Sequence, residues 1–98
     1  MAKILSIVAI GLISTSAYAN GNIEICQEVG NLAETTMEVR QSEVSIVEVI
    51  QSIQGSALAE SIVKDAYRLP AMRSPDNKIT QVKKFRNKWE LTCLQSLK

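Results

Sequence analysis

The sequence predicts an all-α protein, a small bundle of about four helices closed by one disulfide, and three observations predict it. Apolar residues recur at helical spacing through residues 22–98. No alternating strand run and no Asn-Gly or Asp-Gly hairpin turn interrupts them. The two cysteines, Cys26 and Cys93, stand near opposite ends of that stretch.

The elements follow in order. Residues 1–19, MAKILSIVAIGLISTSAYA, read as a secretory signal: Lys3 supplies a cation, Ile4 to Ile13 an apolar run, and Ala17-Tyr18-Ala19 the A-x-A pattern before a cleavage point. The apolar segment is shorter than the ~20 residues that span a bilayer, so no transmembrane anchor is expected after cleavage. Residues 20–98 then form a single helical domain. Its first helix places Ile25, Cys26, Val29, Leu32, Ala33, Thr36 and Met37 in one arc, with Glu24, Glu34 and Glu38 opposite. Ser45 followed by Glu48 is a capping box, flanked by Val44 and Val49 as a hydrophobic staple, and starts a short second helix over about 46–53. Gly55 suits the left-handed stop and Ser56 the next cap. Leu58, Ala59, Ile62, Val63, Ala66 and Tyr67 make the stripe of a third helix that ends before Pro70. Ser74-Pro75-Asp76 opens a fourth, running to about Leu97, with Ile79, Val82, Phe85, Trp89, Cys93 and Leu97 on its inward face.

Both cysteines fall on apolar arcs, one early in the first helix and one late in the last. Exported compartments are oxidising, and two cysteines allow one connectivity, so Cys26 and Cys93 are expected to bridge helices that lie antiparallel. A redox pair would have C-x-x-C spacing, and a thiolate metal site would want further cysteine or histidine; the chain has no histidine. No metal or cofactor is expected.

Charge is lopsided. From residue 20 to 63 seven glutamates stand against Arg40 alone; from 64 to 98 nine cations stand against Asp65, Asp76 and Glu90. The two halves can pair within the fold, or the basic half can face an anionic partner. Lys84 and Lys88, one turn apart near Leu91, are the candidate contact surface. Arg40 and Arg86 fall in or beside apolar arcs, where a cation needs a carboxylate or carbonyls, and with the Tyr67 hydroxyl they form a candidate anion crevice. Without histidine there is no Ser-His or Cys-His pair and no zinc-protease motif, and no Gly-rich phosphate loop occurs, so no catalysis is expected. Nothing in the chain reads as nucleic-acid binding.

Five features carry a resemblance: Cys26, Arg40-Gln41, Ala66-Tyr67-Arg68-Leu69-Pro70, Phe85-Arg86-Asn87 and Cys93. With them the chain resembles small exported two-cysteine helical proteins of Gram-negative bacteria and their prophages, mostly uncharacterised. Those proteins often carry an aromatic soon after the proline, where this chain has Ala71-Met72. The resemblance implies a periplasmic or secreted location and a helical fold, and it brings no activity. The expectation is a non-enzymatic binding or interaction protein whose partner is an envelope protein or an anionic envelope component. The alternative is a periplasmic acid-stress chaperone-like protein, by analogy of size, compartment and cysteine number.

Overall fold

The computed structural model describes residues 13–53 and 55–97, with side chains from 21 onward. Four helices and no strand occur among them: α1 (Ile13–Gln41), α2 (Ile46–Ser52), α3 (Ala57–Ala66) and α4 (Pro75–Ser96). The export-signal reading falls mostly outside this range, since 1–12 are not described; 13–19 belong to the first turns of α1. That helix starts earlier than its amphipathic pattern begins, and no proline stands in its way.

Each later boundary has a local cause. Ser45 caps α2, its hydroxyl accepting from the Val47 amide at 3.2 Å, so the bond lands one residue earlier than a capping box to Glu48 requires. Gly55 takes φ +89°, a left-handed conformation that strains residues with a side chain. Ser56 and Ser74 cap α3 and α4, accepting from Ala59 and Asn77 at 3.1 Å, and Pro75 supplies the first residue of α4.

α1 and α4 form an antiparallel pair. Contacts climb one helix while descending the other: Cys26 with Cys93, Gly30 against Glu90, Glu34 with Arg86, Gln41 with Lys78. α3 packs on α1 and meets α4 through side chains, and α2 leans chiefly on α3. Ala33, Met37, Ile62, Ala66 and Phe85 are the core, joined by partly buried Val29, Leu32, Leu69, Val82 and Trp89. Full burial of Phe85 and Ile62 is worth about 1.5–3 kcal/mol each.

The helical arcs overstate this core. Ile25 and Ile79 are each 54% exposed, Leu58 47% and Leu97 39%, although all four lie on stripes expected to face inward. For Ile25, Ile79 and Leu97, which lie on or at the end of α1 and α4, the reason is length. At a 1.5 Å rise the ten residues of α3 cover about 15 Å, half of the 22-residue α4, so the third layer ends before the longer helices do.

Close approach of α1 and α4 depends on Gly30. A Cβ there would stand 2.5 Å from a Glu90 carboxylate oxygen and 2.6 Å from its Cγ. Gly30→Ala is therefore expected to displace the Glu90 side chain and loosen its 2.9 Å ion pair with Arg86, a cost that alanine's better helix propensity partly offsets, leaving a net loss under about 1 kcal/mol in a urea melt. An unchanged midpoint would mean that the helices have slack at this level.

Candidate functional site

The disulfide joins Cys26 to Cys93 with a Cα–Cα distance of 5.5 Å, and no free cysteine remains. The other candidate residues are placed less simply.

Arg40 and Tyr67 meet at the junction of α1, α2 and the loop after α3. Arg40 Nε donates to the Leu69 carbonyl at 2.9 Å and its guanidinium lies 5.0 Å from the Tyr67 ring centre. The Tyr67 hydroxyl donates to the Val44 carbonyl at 2.6 Å. The next residue, Gln41, is buried; its amide donates to the Pro70 carbonyl at 3.0 Å and accepts from the Met72 amide at 2.6 Å. Arg40-Gln41 and Ala66-Tyr67-x-x-Pro70 are thus two halves of one latch. The side chains fix a turn whose carbonyls would otherwise lack donors.

Burial pushes the Tyr67 phenol above its ordinary value of 10.0, partly offset by the nearby Arg40 charge. Its folded pKa is raised, so the stability it contributes is present below about pH 10 and lost as pH rises past that value. Tyr67→Phe is expected to cost about 1 kcal/mol at neutral pH and to flatten the alkaline fall in stability. Urea melts at neutral and alkaline pH check both; parallel curves for the two proteins would remove Tyr67 as the titrating group.

Arg86 works elsewhere. It pairs with Glu34 across the helix interface and with Glu90 one turn along at 2.9 Å. The hydrogen bonds it donates to these two carboxylates raise its pKa above the ordinary value. The anion crevice expected from Arg40, Arg86 and Tyr67 does not assemble, because Arg86 is occupied by two carboxylates and Arg40 by a carbonyl and a ring.

The basic surface also divides. Lys84 and Leu91 are exposed, Leu91 by 56%. Lys88 instead turns toward α3, where its ammonium meets Asp65 Oδ2 at 2.7 Å and lies 6.0 Å from the Phe85 ring centre. It is tied down and lies apart from a free patch with Lys84.

That ion pair borders a cleft of about 400 Å³ between α3 and α4. α3 lines it with Ser61, Lys64, Asp65 and Arg68; α4 contributes Lys88, Trp89 and Thr92. The Trp89 indole donates to Asp65 Oδ2 at 2.9 Å, so one carboxylate oxygen fixes both a lysine and the ring. Periodicity missed this cleft, since its walls are residues 24 apart in sequence. The available signal was Lys64 with Arg68 at i,i+4, a like-charge pair that helices disfavour. A second cleft of about 320 Å³ between α1 and α4 sets Glu34 and Glu38 against Lys78 and Lys83, so its charges compensate one another.

No family model, curated protein or solved structure matches the chain. What distinguishes the surface must therefore be taken from the molecule. Exposed large aliphatic side chains are concentrated in sequence beside the two cysteines, and Ile23 and Leu94 line one pocket with Cys26. Among the described residues nine are exposed, and five of them, Ile23, Ile25, Leu91, Leu94 and Leu97, lie within four residues of Cys26 or Cys93. The α4 portion, LTCLQSL, carries no charge, whereas Glu24 and Glu28 flank the α1 portion without an ion-pair partner among the described residues. No three His, Cys, Asp or Glu side chains of the described residues are gathered to hold a metal, and no described helix is long and apolar enough to cross a membrane.

Proposed function

We propose that this is an exported, non-enzymatic interaction protein of the cell envelope that docks through the apolar surface around its disulfide. The observation that carries the reading is that exposed Ile23 and Leu94 line one pocket beside Cys26, with exposed Ile25 and Leu97 close by in sequence. Exposed apolar residues scattered singly need no explanation, whereas a cluster on a small chain does. The partner that fits is an envelope protein with an apolar centre and a cationic rim, complementary to Glu24 and Glu28. The sequence motifs support the reading indirectly, since Arg40, Gln41, Tyr67, Phe85 and Arg86 are all engaged in holding the fold.

A photo-crosslinking residue at Leu94 should trap one envelope protein, and the same residue at Lys84 should not. Leu91→Ser with Leu94→Ser, both exposed, should keep the circular dichroism and lose the adduct. Equal trapping from both positions, or trapping that survives the double substitution, would sink the proposal.

One observation favours the chaperone-like alternative. Two side-chain ties of α4 to its neighbours, Arg86–Glu34 and Lys88–Asp65, are ion pairs. That reading requires ANS fluorescence to rise between neutral pH and about pH 3, below ordinary carboxylate values; a flat response ends it.

A further inference from the structure

The α3–α4 cleft has features that fold stability alone does not demand. Cations at the C-terminal end of α3 are favoured by the helix dipole, which accounts for Lys64 and Arg68 singly. It does not account for Lys88 and Trp89 meeting them from α4. Three cations converge there, and only Lys88 has a carboxylate partner among the described residues.

The polar groups are held before any ligand arrives. Asp65 Oδ2 takes both the Lys88 ammonium and the Trp89 indole, which fixes the ring as one wall and leaves Oδ1 as an acceptor. Ser61 and Thr92 add a hydroxyl from each side. A volume of about 400 Å³ is within the range of small-ligand sites and admits one or two sugar rings.

From this arrangement we propose that the cleft binds an acidic sugar, a hexose-sized ring bearing a carboxylate or a phosphate. Lys64 and Arg68 hold the anionic group, the guanidinium being suited to two parallel bonds to it. The flat Trp89 wall takes the apolar face of the ring. Asp65 Oδ1 and the two hydroxyls take the ring hydroxyls. A bare anion uses only the cations and meets the Asp65 charge; a neutral sugar uses only the remainder. Both halves of the cleft are filled when one ligand carries both groups.

Trp89 is the only tryptophan in the chain, so its fluorescence reports the cleft directly. The exported protein is titrated with a uronic-acid disaccharide, a hexose phosphate, the neutral disaccharide of matching linkage and inorganic phosphate. At least one acidic sugar is expected to give a saturable emission change, with neutral sugar and phosphate at least about tenfold weaker and binding that weakens as salt rises. Lys64→Glu with Arg68→Glu, both exposed, should weaken it about tenfold or more while the melting temperature stays close to that of the parent. If that pair fails to fold, Lys64→Gln with Arg68→Gln tests the same contacts. Silence with both acidic sugars, equal binding of phosphate or of the neutral disaccharide, or undiminished binding by the folded variant overturns the proposal. The docking surface at the disulfide stands or falls separately, since its exposed aliphatics are not among the residues that line the cleft.

Discussion

Cys26→Ser or Cys93→Ser is expected to lower stability by about 2–5 kcal/mol, measured as the shift in a urea melt at constant slope. The bridge spans a sequence separation of 67, and the chain-entropy model gives about 4 kcal/mol for a loop of that size. So large a fraction of the stability of a small domain decides whether it stays folded. The native structure indicates where the loss is felt. Gln41–Lys78 and Glu34–Arg86 hold the far end and middle of the α1–α4 pair, whereas the aliphatics around the cysteines are mostly exposed and contribute little cohesion. Amide exchange should therefore quicken first over residues 21–30 and 90–96. The double variant should be no less stable than the worse single one, because either change opens the same bridge. Free thiols in the folded protein, or a single variant as stable as the parent, would contradict the bridge.

Elements whose signals are local were legible. Ser45, Ser56 and Ser74 each cap the helix that they precede, Gly55 takes the left-handed turn, and Pro75 opens α4, because each acts within four residues of itself. The disulfide was legible from the cysteine count together with the export expected of residues 1–19. Partners across the fold were not. Arg40 and Arg86 could be recognised as cations in the wrong place, but the carbonyl that takes Arg40 is 29 residues away and, beside the local Glu90, the second carboxylate of Arg86 is 52 away. Lys84 and Lys88 stand one turn apart on a helical wheel, yet Asp65 holds Lys88 on the α3 side. The wheel also places Ile79 and Leu97 inward without knowing that α3 is too short to cover them. The candidate cleft is of this second kind, since it exists only once α3 meets α4.

Gln41→Ala should cost about 2–4 kcal/mol, the larger part of it from buried polar groups left without partners and the smaller from weaker packing. Gln41 is 5% exposed, and its side chain gives one bond to Pro70 O and takes one from Met72 N. Alanine orphans the partly buried Met72 amide, while the bond from Lys78 Nζ to the Gln41 carbonyl survives because it uses the backbone. Gln41→Glu keeps an acceptor for Met72 but removes the donor to Pro70 and buries a carboxylate against that carbonyl, so its loss should be the larger. Exchange at the Met72 amide is the local readout, and it should quicken in Gln41→Ala well beyond the change expected from global stability alone. The latch also governs the cleft. The loop that Gln41 holds joins the end of α3 to the start of α4, and the angle between those helices brings Trp89 to Asp65. Loosening the loop should let water reach the indole and move its emission to the red even under conditions where the helices remain formed. If Gln41→Ala melts with the parent and leaves the Trp89 emission unmoved, the loop is held by its own turn chemistry and the Arg40-Gln41 pair has some other purpose.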